Sequence, residues 1–147
     1  MAIEFVYGED DRVAQWAAAR IGVKFQKCTA IGVERNGELI AAVVYDRYSG
    51  NDLCMHVAAI PSARWATKDA MYRFFAYPFL QLGVTRVTGL VAADNAAARK
   101  FDEHIGFVFE GTMRRGMADG TDLIVYGMLR DECRWINHEP VPIHPES

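Results

Sequence analysis

The chain has too little cysteine to be held together by disulfides. Its three cysteines, Cys28, Cys54 and Cys133, are odd in number and form no CxxC pair. They read as reduced thiols of a cytoplasmic protein. Histidines and cysteines also lack metal-ligand spacing, except around His138, Glu139 and His144 near the end of the chain, so no metal site is expected. Charge of one sign is lacking too. Sixteen Lys and Arg against nineteen Asp and Glu leave a net charge of −3, with no global pull toward nucleic acid or an anionic membrane. No apolar run approaches the ~20 residues of a membrane span. The start, Met1-Ala-Ile-Glu-Phe5, lacks the basic segment and long apolar stretch of a signal peptide. Proline is scarce in the body, where only Pro61 and Pro78 occur; Pro140, Pro142 and Pro145 cluster at the end.

What remains is ordinary globular material, 147 residues at 51% hydrophobic and 24% charged. That is enough for one domain burying roughly 70% of its unfolded surface. Ala2 to Val6 reads as a short strand. Asp10 and Asp11 open a helix to about Ile21, where Gly22 stops it. Thr29 to Arg35 and Leu39 to Tyr48 flank Asn36-Gly37, the strongest short hairpin signal, because both turn positions need positive φ. Leu53 to Ile60 is a dense apolar strand expected at the sheet centre. Lys68 to Leu82 is a helix with Met71, Phe75, Phe79 and Leu82 on one face, and Pro78 should kink it near Tyr77. Arg86 to Val91 is a strand, and Asn95 to Ile105 a helix. Phe107 to Arg115 and Leu123 to Arg130 form a second hairpin around Asp119-Gly120. The expectation is one α/β (α+β) domain, residues 1–136, with a mixed central β-sheet flanked by helices, and a flexible proline-rich tail, 137–147.

Asn95, Ala98, Gly106 and Phe107 stand at the spacing of the second half of the GNAT superfamily of N-acetyltransferases, and the chain resembles that superfamily to about Trp135. Phe109-Glu110-Gly111, followed by Arg114, resembles the ribosomal-protein-acetyltransferase branch. The resemblance implies a GNAT fold in which strands 4 and 5 splay apart. It implies acetyl-coenzyme A as co-substrate, its pantetheine arm lying in that gap like an extra strand. The matching segment is Val57 to Ile60, with Ala58, Ala59 and Ile60 as cofactor contacts and a strand amide near Ala58 or Ala59 to hold the thioester carbonyl. The pyrophosphate would lie near Arg64, Trp65, Ala66, Thr67, Lys68 and Asp69. Here Arg64 fits the family pattern, whereas Thr67 and Asp69 replace glycines and Trp65 replaces a further one. Side chains there obstruct close approach of backbone to phosphate. Equally, Thr67 makes a good cap, Lys68 brings a cation, and the helix dipole persists. Asn95 caps its helix in either reading, and Arg99 follows one turn on, either toward the cofactor or on a solvated face.

Acetyl transfer also needs a base for the amine, and His56, on the strand expected to border the acetyl group, is the candidate. The competing reading is a hydrogen-bonded core histidine. Asp46 and Asp52 are weaker candidates. The position of the family's usual tyrosine general acid holds Asp102, which cannot donate a proton when ionised; Tyr45 and Tyr126 are possible substitutes. The implied activity is transfer of an acetyl group to a primary amine of a small molecule or a protein N-terminus. The other reading is a non-catalytic binding or assembly protein of the same fold, and a third is a transferase of a larger acyl group. Trp135 and Ile136, apolar beside a polar tail, suggest a homodimer that covers them, or a chain end folded over its own sheet.

Overall fold

The structure is a computed structural model and describes residues 2–61 and 63–136. The expected tail, 137–147, lies outside the described residues. Seven strands form one sheet: β1 (Glu4–Val6), β2 (Thr29–Arg35), β3 (Glu38–Asp46), β4 (Asp52–Ala59), β5 (Arg86–Ala92), β6 (Val108–Met113) and β7 (Leu123–Leu129). Their spatial order is β1-β2-β3-β4-β5-β7-β6. Neighbours are antiparallel except β4 and β5, which are parallel. The Asn36-Gly37 turn has positive φ at both residues, 56° and 80°, as its sequence demands. Between it and Asp46, every residue from Leu39 to Tyr45 is buried, because both faces of β3 are covered. Strand ends differ from expectation by at most two residues. The largest consequence is that Arg114 and Arg115 fall in the turn after β6 rather than on it.

Helix α1 (Asp10–Ile21) covers one face, laying Val13, Ala14 and Ala17 against Ala42, Val44 and Ala58. Asp10 fixes its start by accepting a hydrogen bond from the Ala30 amide of β2 at 2.9 Å. Helix α2 (Lys68–Ala76) makes the crossover from β4 to β5, and α3 (Ala96–Ile105) follows β5; both lie on the opposite face. The main core sits between this face and the aromatics Phe74, Phe75, Phe79 and Phe107.

Pro78 acts as its chemistry requires. It has no N–H for the Phe74 carbonyl, and α2 gives way at Ala76 to a π-helical turn, Tyr77–Leu82. The Tyr45 hydroxyl, reaching up from β3, donates to the Phe74 carbonyl at 2.6 Å and satisfies it. At the other end of the chain, Trp135 does not wait for a partner. Its indole N–H donates to the Ile105 carbonyl at 2.8 Å, and Arg134 donates to the His104 carbonyl at 2.7 Å. These are terminal carbonyls of α3, which the helix itself leaves unbonded. The exposed-tryptophan motive for a homodimer is thereby removed; the chain end docks on its own domain.

Candidate active site

The site begins where two strands part. β4 and β5 pair at Asp52–Arg86, Leu53–Val87 and Cys54–Thr88, and the pairing then ends. β4 runs on to Ala59 and β5 to Ala92. The splay expected between strands 4 and 5 is present. Its other borders are intact, because β4 stays paired with β3 through Ala59 and β5 with β7 through Ala92.

Register decides which backbone groups face the gap. The Ile60 amide donates to the Ile40 carbonyl across to β3. Backbone groups alternate sides along a strand, so Ala58 and His56 also turn theirs toward β3, whereas Val57 and Ala59 turn theirs toward the gap. This corrects the sequence reading of Ala58, whose amide is not available to a ligand in the gap. Ile60 also drops out as a backbone contact, since its carbonyl accepts from Ala63. Val57 and Ala59, both within the expected segment, have their backbone groups on the gap side.

His56 lies on the α1 face of β4, opposite Val44, just past the last β4–β5 pair. Its Nε2 is 2.8 Å from Asp46 Oδ1, and the Phe25 ring packs 5.1 Å from the imidazole. Both side chains keep some exposure, 13% for His56 and 17% for Asp46. A carboxylate on one imidazole nitrogen fixes the tautomer, leaves the other nitrogen to act as base, and stabilises the imidazolium that results. The sequence reading ranked Asp46 as a separate, weaker base; in the structure its carboxylate is bonded to the His56 ring. The signal was available in the antiparallel run of β3 into β4, which sets Asp46 diagonally across from His56.

The loop before α2 is only partly as expected. Thr67 is the N-cap and accepts from the Ala70 amide at 3.0 Å. Asp69 does not stand free beside that helix start, because Arg73 bonds both its oxygens at 3.2 Å. Arg64, Ala66 and Lys68 are exposed, and the Arg64 carbonyl accepts from Arg35. Trp65 turns inward. It is buried, its ring centroid 5.8 Å from that of Phe74 on α2 and 5.5 Å from that of Phe101 on α3.

Helix α3 supplies the far wall. Asn95 caps it by accepting from the Ala98 amide at 3.1 Å. Arg99 is not on a solvated face. Its Nε donates to the Tyr126 hydroxyl at 3.2 Å and its Nη1 to the Ala93 carbonyl at 3.4 Å, while Tyr126 donates to Glu103 at 2.6 Å. Tyr126 and Tyr45 are thus both engaged in structural hydrogen bonds. Asp102 is buried, and burial pushes its carboxyl up to about 7, with the Glu103 charge adding to the rise. The exposures and contacts of α3 depend on which face meets the sheet, and helical spacing alone does not fix that.

No family model matches the sequence, and no curated protein matches it. The solved structures are another matter. A probable acetyltransferase superposes with a TM-score of 0.69 at 17% identity, covering 88% of this chain and 94% of the other. Ard1 from Thermoplasma volcanium gives 0.70 at 14% identity, covering 88% of this chain and 98% of that one. A variant of the spermidine N-acetyltransferase SpeG from Vibrio cholerae gives 0.69 at 15%, covering 92% and 96%. Identities this low speak for architecture alone. Among the described residues, no helix is long and apolar enough to cross a membrane. With its mixed seven-stranded sheet, its parallel β4–β5 pair that opens midway and these structural neighbours, the chain has the GNAT acetyltransferase fold.

Proposed function

We propose that the protein is an N-acetyltransferase that takes its acetyl group from acetyl-coenzyme A and passes it to a primary amine. The observation that carries this reading is the parting of β4 and β5 after Cys54 and Thr88, which leaves the gap-facing backbone of Val57 and Ala59 without a strand partner. A pantetheine arm offers the amide groups that such a strand needs. The thioester carbonyl would accept from the Ala59 amide. His56, oriented by Asp46, would take the proton that the amine must lose. Thr67, Lys68 and the first turn of α2 would meet the pyrophosphate, with the Asp69 charge drawn off by Arg73. Asn95 and the anchored Arg99 would border the arm from α3. The acceptor is a primary amine of a small molecule or of a protein N-terminus.

A second reading has its own observation. Trp65 is wedged between Phe74 and Phe101, bridging α2 and α3 where the cofactor would pass. If that wedge stays shut, the fold serves binding or assembly without catalysis.

Thermal unfolding with acetyl-coenzyme A separates the two. A ligand at a hundred times its dissociation constant stabilises the fold by about 2.7 kcal/mol. The transferase reading expects a clear upward shift in Tm with acetyl-coenzyme A. Absence of any shift at millimolar cofactor would favour the non-catalytic reading.

A further inference from the structure

The loop between β4 and α2 carries a side chain of the wrong size for its place. Where the family pattern implies a glycine, this chain has Trp65, the bulkiest residue there is. Trp65 is 6% exposed. Its ring belongs to the apolar cluster that covers the gap on the side of α2 and α3, together with Val57 and Ala59 of β4, Val91 of β5, and Ala98 and Phe101 of α3. The two ring contacts come from different helices. The Trp65 centroid lies 5.5 Å from that of Phe101 on α3 and 5.8 Å from that of Phe74 on α2. Rings at those separations touch, and no chain of methylenes fits between them. A pantetheine arm running from Val57 and Ala59 to the first turn of α2 has to pass this point. Ring and arm therefore exclude each other.

The way Trp65 is held shows which part can give way. Its backbone is pinned on both sides. The Arg64 carbonyl accepts from Arg35 at 2.9 Å, the Trp65 carbonyl accepts from the Thr67 amide at 2.9 Å, and Thr67 caps α2. Phe74 is fully buried, and Tyr45 is bonded to its carbonyl, so that wall is fixed as well. The indole is not tied in the same way. Trp135 is anchored by its indole N–H on the Ile105 carbonyl. Among the described residues, the Trp65 indole makes ring contacts and no hydrogen bond. The part free to move is the indole, turning about its own side-chain bonds above a fixed loop.

Resting on the transferase reading, we infer that Trp65 is an autoinhibitory gate: its indole closes the cofactor passage in the free chain, and acetyl-coenzyme A binds by displacing it. Only the fraction of molecules with the indole turned out can take the cofactor, so the measured affinity is lower than the contacts alone would give. The apolar surface of Phe74 and Phe101 is covered by the indole in one state and by the arm in the other, which keeps the two states close in free energy.

The test measures acetyl-coenzyme A binding to the full chain by calorimetry, beside the Tm without ligand. Trp65→Ala removes the ring and leaves the loop and its cap. It should unfold at a lower Tm and yet bind acetyl-coenzyme A roughly 10-fold more tightly than wild type. A lower Tm with unchanged or weaker binding would make Trp65 a core residue only, overturning the gate and leaving the transferase reading in place. Binding by the Ala variant, with none by wild type, would support a gate that is shut nearly all the time. Binding by neither would remove the transferase reading and the gate with it. Should the Ala variant fail to fold, fluorine NMR of the wild-type chain labelled with 5-fluorotryptophan decides, the Trp65 line being assigned from Trp65→Phe. On saturation with acetyl-coenzyme A that line should move to the position of a solvent-exposed indole, while the lines of Trp16 and Trp135 stay. A Trp65 line unmoved by bound acetyl-coenzyme A ends the proposal.

Discussion

Tyr45 shows how one residue can answer a defect created by another. Pro78 strips the Phe74 carbonyl of its helical donor, and the Tyr45 hydroxyl takes that place in a fully buried setting. Tyr45→Phe keeps the ring and orphans the carbonyl, so it should cost about 1–3 kcal/mol, read as a lower urea midpoint with an unchanged slope. His56 is the counterpart in the proposed chemistry. His56→Ala should lower acetyl transfer by roughly 10²-fold or more and leave the acetyl-coenzyme A Tm shift intact; unaltered turnover from pH 6 to 9 would exclude it as the base. Asp102 adds a stability signature that does not depend on activity. Its folded-state value of about 7 lies above the ordinary 3.8, so the folded state holds the proton more tightly. Stability from this group is full at low pH and is lost as pH rises from about 4 through about 7. Asp102→Asn should therefore match wild type near pH 4 and exceed it at pH 8, by an amount on the order of 4 kcal/mol at most. Denaturation midpoints at the two pH values would show it, and a difference independent of pH would contradict it.

Elements behaved according to how local their causes were. The α1 helix, the Asn36-Gly37 hairpin, the Asn95 cap and the break at Pro78 were all legible in the sequence, since each depends on residues a few positions apart. The end of the chain was not. Two 3-10 turns, Arg130–Glu132 and Arg134–Ile136, bring Trp135 back onto α3, and no local spacing announces an indole bonded to a carbonyl thirty residues away. The ion pair that binds β6 to β5 is similar. Glu110 sits at a register shift in β6 and reaches Arg86 through two hydrogen bonds, 3.0 and 2.7 Å, passing over Gly127 of β7. A side chain at Gly127 would collide with that pair. Trp135→Ala should cost roughly 1–3 kcal/mol, because a half-buried ring and a helix-terminal hydrogen bond go together. The change should appear in thermal unfolding of a chain whose sedimentation is otherwise unaltered. A Trp135→Ala chain that instead changed its association state would return that surface to a dimer.

At the scale of the whole molecule, the decisive feature is a sheet that is continuous everywhere except for half of one strand pair. The order of strands and helices, and the resemblance that order carries, came from periodicity, turn residues and the Asn95 to Phe107 spacing. These are properties of short segments, and the backbone obeys them wherever the segment lies. The candidate site residues split along the same line. His56, Ala59, Thr67 and Asn95 were recognisable because each occupies a definite place within one element. The turning of the Ala58 amide toward β3, the burial of Trp65 between two helices and the burial of Asp102 were not. Each depends on which strands are neighbours, in what register, and which helix face meets them. A sequence fixes the local conformations through sterics and hydrogen bonding over a few residues. Only the packed fold decides whether a carboxyl meets water, a cation or a glycine, and that decides its charge and its chemistry.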